Sequence, residues 1–94
     1  MMVVVKFIGS LKAVSKKSKF TIKTQKAISL KELIEKIIHL QPSLKQALID
    51  QELGGPQTKV LVLVNDREIS VLNGLETIVN DGDEVIFVPF VHGG

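Results

Sequence analysis

The chain has no cysteine, tryptophan or tyrosine, and only two histidines and four phenylalanines among its 94 residues. Without cysteine there are no disulfides, thiolate metal sites, iron–sulfur clusters or cysteine nucleophiles. The longest uninterrupted apolar run, Val85–Val91, falls far short of the ~20 residues that span a bilayer. The opening Met-Met-Val-Val-Val meets Lys6 too soon to supply the apolar segment of a secretion signal. A cytoplasmic protein with no membrane partner is expected. Low-complexity stretches, internal repeats and linkers are also missing, so residues 1–94 are expected to form a single domain. At 45% hydrophobic and 23% charged residues, the composition is that of a globular chain rather than a disordered one.

Acidic residues are scarce in the first half. Residues 1–47 carry ten lysines against Glu32 and Glu35, a balance of +8, whereas residues 48–94 carry Lys59 and Arg67 against eight acids, a balance of −6. Such segregation marks either a docking face for a charged partner or a solvated lysine-rich hairpin. One reading of Lys12, Lys16, Lys17, Lys19 and Lys23 is an RNA-binding loop. Against it, that stretch has no Trp, Tyr or Arg to stack on bases. Nucleic acid is therefore not the expected partner.

Groups for catalysis are few. His39 and His92 have no Asp, Glu or His at metal-ligand spacing, so no metal site is expected. The serines fall in loops or caps, without a nucleophile elbow. Gly54-Gly55-Pro56 lacks the lysine and following helix of a phosphate loop and reads as a breaker. Asp81, Asp83 and Glu84 cluster around an Asp-Gly-Asp turn and are candidates for partner docking, with turn chemistry as the plainer role. Among sheet residues, Val4, Ile8 and Phe87 are candidates for an apolar docking face. An enzyme is not expected.

Val3, Val5 and Phe7 alternate with Val4, Lys6 and Ile8, predicting a strand closed by Gly9. Phe20–Thr24 alternates too, with Phe20 and Ile22 inward, and should pair antiparallel with the first strand across a loop, Ser10–Lys19. Ser29 and Glu32 have capping-box spacing, and Leu30, Leu33, Ile34, Ile37 and Ile38 then form one helical stripe stopped by Pro42. Ser43 is expected to cap a second short helix carrying Leu44, Ala47 and Leu48. Val60–Val64 is apolar throughout, predicting a central strand covered on both faces. Turns are expected at Asn65–Glu68 and Asn80–Asp83, with a short edge strand or loop at Ile69–Leu75 and a last strand, Glu84–Val88, ended by Pro89. The first and last strands, the most apolar, should lie side by side. The expected fold is α+β, a mixed sheet of four to five strands with one main helix packed across one face.

The sequence closes Pro89-Phe90-Val91-His92-Gly93-Gly94. Two residues without side chains thread narrow channels, so the expectation is that the main-chain carboxylate of Gly94 is itself the reactive group. A carboxylate is a poor electrophile, so a partner must activate it with ATP as an acyl-adenylate. Fully extended, Pro89 to Gly94 reaches about 20 Å into such a partner.

The block Leu75–Pro89, with its Asp81-Gly82-Asp83-Glu84-Val85 core followed by Val91, Gly93 and Gly94, resembles the C-terminal signature of the MoaD/ThiS sulfur-carrier family. Val5-Lys6-Phe7 with Leu11-Lys12, Ser29–Leu33 and Val62–Asn65 are similar to the family's first strand, helix start and central strand. Phe90 and His92 stand where the family commonly has a proline and a small residue. The resemblance implies a ubiquitin-like β-grasp domain over residues 1–94, with 89–94 as a flexible C-terminal tail. It implies no bound cofactor and no catalysis by the chain itself. A MoeB/ThiF-type enzyme would consume ATP to adenylate Gly94, which becomes a thiocarboxylate. A MoaE-type large subunit of molybdopterin synthase would then take in Pro89, Phe90, Val91, His92 and Gly93 and hold the molybdopterin precursor as sulfur acceptor. The same Gly94 also fits a thiamine or tRNA-thiolation carrier, or a small protein modifier joined to lysines.

Overall fold

A computed structural model describes residues 1–50 and 57–90 of the chain. Strand β1 (Met2–Phe7) alternates as predicted, burying Val3, Val5 and Phe7 and turning Val4 and Lys6 to the other face. Strand β2 (Lys19–Lys23) runs antiparallel beside it, with Val5 opposite Phe20 and Val3 opposite Ile22. The connection read as a loop holds one turn of helix, α1 (Leu11–Val14), which drops Leu11 into the core.

Strand β3 (Ile28–Ser29) leads directly into helix α2 (Leu30–Leu40). The capping box forms: Glu32 N–H donates to Ser29 Oγ at 3.1 Å, and Ser29 N–H donates to Glu32 Oε1 at 3.5 Å. Leu30, Leu33, Ile34 and Ile37 are buried and Ile38 is half-buried, each fully covered side chain contributing roughly 1.5–3 kcal/mol by leaving water. Pro42 disfavours helical backbone at the residue before it, and Gln41 indeed leaves the helix as its C-cap. Helix α3 (Leu44–Leu48) follows and buries Leu44 and Leu48. Ser43 does not cap it, because at φ −61°, ψ −21° its backbone is already helical and its hydroxyl makes no capping bond.

Two-residue strands β4 (Ile49–Asp50) and β5 (Gln57–Thr58) pair with each other, while Gly54, Gly55 and Pro56 lie outside the described residues. Strand β6 (Val60–Val64) departs from expectation. It buries Val60, Val62 and Val64 but leaves Leu61 and Leu63 only half-covered. The helices pack on one face of the sheet, so a run that is apolar at every position still has one open side. A two-residue turn at Asn65 (φ 49°) and Asp66 (φ 69°), both in the left-handed region of a type I′ hairpin, returns the chain as β7 (Arg67–Glu68). The edge position expected of Ile69–Leu75 belongs to β7. That segment instead makes two 3₁₀ turns, Ile69–Val71 and Gly74–Glu76. Glu68 caps the first: its carboxylate accepts from the Ser70 hydroxyl at 2.5 Å and the Ser70 N–H at 2.7 Å. Those two bonds, the hydroxyl's first, hold the acid below its ordinary pKa.

Strand β8 (Ile78–Val79) pairs with β3, and β9 (Glu84–Pro89) completes the main sheet in the order β2-β1-β9-β6-β7. As predicted, first and last strands are neighbours: β9 is parallel to β1 and antiparallel to β6. Phe7 and Phe87 stack at their junction with ring centroids 5.4 Å apart, and α2 crosses the same face. The result is α+β, a mixed five-stranded sheet under one main helix. No helix among the described residues is long and apolar enough to cross a membrane.

Candidate functional site

Strand β9 runs one residue further than expected. Pro89, read as the first residue of a tail, is opposite Val60 and is the last residue of the sheet. A proline is tolerated at a strand end, where its missing N–H breaks no ladder. On its other side β1 has just ended. Ile8 N–H donates to Phe87 O at 3.0 Å, and Gly9 turns away at φ +62°. A Cβ on Gly9 would sit 3.3 Å from Pro89 Cγ, so the glycine leaves room for the departing strand. Phe90, 51% exposed, comes next and borders a groove shared with Val60, Leu61, Glu68 and Ser70. The remaining tail candidates Val91, His92, Gly93 and Gly94 lie outside the described residues.

Topology decides which charges surround this exit. The loop after β1 lies at the same end of the sheet, pinned where Phe7 N–H donates to Ser18 O at 2.8 Å and Lys16 N–H to Gln41 Oε1 at 3.0 Å. Lys12, Lys16, Lys17 and Lys19, all exposed, are therefore at the exit end, as is Lys59 next to Val60. Asp81, Asp83 and Glu84 are at the other end of β9, about 17 Å away at ~3.3 Å per residue. The acids are not brought together with Pro89 and Phe90.

Those acids are occupied with holding the far end closed. Asp81 accepts from Met2 N–H at 2.7 Å. Asp83 accepts from the Asn65 side-chain amide at 2.9 Å and from Asn80 N–H at 2.7 Å, and Asn65 Oδ1 in turn accepts from Glu84 N–H at 2.9 Å. Glu84 pairs with Lys6 at 2.8 Å. The plainer reading, turn chemistry, describes what these bonds do. Asn65, which links the two turns, was legible only as a turn residue.

The proposed apolar docking residues divide. Val4 and Ile8 lie on the open face, Ile8 41% exposed, beside half-covered Leu61, Leu63, Ile86 and Val88. Phe87 does not join them. It is fully buried against Phe7, because the two-residue period that turns Ile86 and Val88 outward turns Phe87 in. His39 is exposed in the last turn of α2, on the groove between that helix and β2, where an imidazole suits the helix dipole. Among the described residues no group of three or more His, Asp or Glu side chains is placed to hold a metal ion.

A parallel pair of first and last strands at the centre of a mixed sheet, gripping one helix and releasing the chain at the far end of β9, is the ubiquitin-like β-grasp. The ThiS family profile matches residues 5–94, and the chain belongs to the ThiS family. Such ubiquitin-like sulfur carriers serve as co-substrates or non-catalytic subunits, and this protein is not an enzyme. A chain of the complex of subunits 1 and 2 of molybdopterin-converting factor from Helicobacter pylori is 32% identical, each chain covered in full, with a TM-score of 0.62. A chain of the BexX/CysO complex from Amycolatopsis orientalis is 26% identical over 98% of this chain and 99% of that one, at a TM-score of 0.76. The small archaeal modifier SAMP1 of Haloferax volcanii superimposes with a TM-score of 0.83 over the whole of both chains at 18% identity, a likeness of fold alone. No curated protein sequence matches the chain.

Proposed function

We propose that this protein carries sulfur on the C-terminal carboxylate of Gly94, for delivery to the molybdopterin precursor. The observation that carries the reading is the family match, which extends through Gly94 itself. The full-length 32% identity to a chain of a two-subunit molybdopterin-converting factor favours that acceptor and a large subunit of the MoaE type as partner. In this scheme a MoeB/ThiF-type enzyme binds the exit end of the sheet. A Gly94 carboxylate oxygen attacks the α-phosphorus of ATP, and pyrophosphate leaves. Hydrosulfide from the sulfur donor then attacks the acyl-adenylate carbon, AMP departs with the oxygen, and loss of the sulfur's proton leaves the thiocarboxylate. Pro89 at the end of β9 and exposed Phe90 form the root of the arm, and Val91, His92 and Gly93 its threading portion. Val4, Ile8 and the half-covered residues of the open face offer the partner an apolar footing.

The test is intact mass after incubation with the activating enzyme, ATP and a sulfur donor. The expected result is the mass gain of one oxygen replaced by sulfur, mapped to Gly94, and its loss on adding precursor with the large subunit. A chain lacking Gly94 is expected to melt normally and to gain no sulfur, since a terminal residue contributes little burial. No gain on the full chain with every component active overturns the carrier reading. A gain discharged only by tRNA, a thiazole precursor or lysines of other proteins overturns the molybdopterin assignment alone.

A further inference from the structure

Strand β2 forms one outer edge of the main sheet, and two main-chain bonds determine which of its groups are free. Phe7 N–H donates to Ser18 O at 2.8 Å and Thr24 N–H to Met1 O at 3.0 Å. In this register the hydrogen-bonded pairs are therefore Val5 with Phe20 and Val3 with Ile22. The N–H and C=O groups of Lys19, Thr21 and Lys23 point away from β1, and among the described residues no strand pairs with them. Beside this edge, β2 and α2 enclose a groove of about 570 Å³, with Thr21 and Lys23 on one wall and Lys36, His39 and Leu40 on the other. Leu40 is 64% exposed there.

We infer that this edge and groove dock an extended, acidic segment of a partner protein, which adds a strand to β2. This is a site separate from the Gly94 arm and independent of its chemistry. An added strand takes up the free groups of Lys19, Thr21 and Lys23 and turns alternate side chains into the groove, where an apolar one meets Leu40. Charge selects the segment: exposed Lys19 and Lys23 lie on the edge, exposed Lys26 just beyond it, and Lys36 faces it. Of the acids on the helical wall, Glu32 is held in the capping box, leaving Glu35 against these cations. A second copy of the chain is a poor occupant, because antiparallel pairing about Thr21 sets Lys19 of each copy opposite Lys23 of the other. The groove lining has no Phe, Tyr or Trp on which a nucleic-acid base would stack, and offers only the His39 imidazole.

The probe is a short synthetic peptide with a Val-Thr-Val centre flanked on both sides by glutamates, titrated into the isotope-labelled full chain and followed by NMR. Amide shifts and slowed hydrogen exchange are expected at Lys19, Thr21 and Lys23, with Phe20 and Ile22 changing less because they are already bonded to β1. On the unaltered protein, a peptide N-methylated at its edge-facing amides should bind at least about fivefold more weakly, the loss of roughly one backbone hydrogen bond or more. Lys23→Glu with Lys36→Glu, checked for an intact fold by spectral dispersion, should weaken the unmodified peptide by about tenfold or more, and added salt should do the same. Shifts confined to other surfaces, or equal binding of the methylated peptide, overturn the inference. So does self-association through β2, or tighter binding there of a single-stranded oligonucleotide than of the peptide.

Discussion

Gly9 shows how one residue at the root of the arm carries two constraints. Its φ of +62° is a conformation that costs an L-residue roughly 1–2 kcal/mol, and its missing Cβ leaves the space beside Pro89. Gly82 has a similar left-handed φ of +83° but nothing within 4 Å of where a Cβ would be. Urea melts of Gly9→Ala and Gly82→Ala therefore separate the two effects. Gly82→Ala is expected to lose about 1–2 kcal/mol from backbone strain alone, and Gly9→Ala measurably more. Equal losses would mean that Pro89 yields without cost. Asp83 belongs to the same scale. An acid that read as a docking candidate is the acceptor joining Asn65 to Asn80, and its value to the protein is a closed turn.

Among the elements, those with enough residues to show a period were readable, and the shortest were not. Helix α2 carries its cap, its stripe and its stop in contiguous sequence, which is why its limits followed from Ser29, Glu32 and Pro42. Ser29→Ala is expected to destabilise the protein by about 0.5–2 kcal/mol in thermal or denaturant unfolding, while Ser43→Ala, at a position with no capping bond, should change stability far less. A cost at Ser43 equal to that at Ser29 would refute this account of the caps. Strands β3, β4, β5, β7 and β8 each have two residues. Two residues display no alternation, so their pairings arise from what tertiary contacts bring alongside.

For the whole molecule, the uneven charge of the two halves becomes a polarity along β9, with lysines around the arm's exit and carboxylates at the opposite end. In the carrier scheme proposed above, the activating enzyme approaches the lysine end. Association with the activating enzyme, measured by stopped flow, is accordingly expected to slow by about tenfold or more between low and ~1 M salt, where screening shortens to roughly 3 Å. Lys12→Glu with Lys16→Glu should slow association while leaving the saturated rate of adenylation unchanged, and Asp81→Asn should alter neither. An effect of Asp81→Asn as large as that of the lysine reversals would contradict the assignment of ends.

Local rules were enough for much of this protein. Alternation in β1 and β2, the capping box of α2, the Asn65 and Gly82 turns and the Asp-Gly-Asp-Glu-Val block before Gly93-Gly94 all operate between residues a few positions apart, and so are written in order along the chain. Other features depend on the register of segments far apart in sequence. That Phe87 stacks inside on Phe7, that Pro89 closes the sheet opposite Val60, and that β6 has an open side follow from β9 entering between β1 and β6, parallel to the one and antiparallel to the other. Such pairing is determined by which apolar faces the single helix layer can cover, a requirement of the assembled core that no short stretch of residues contains.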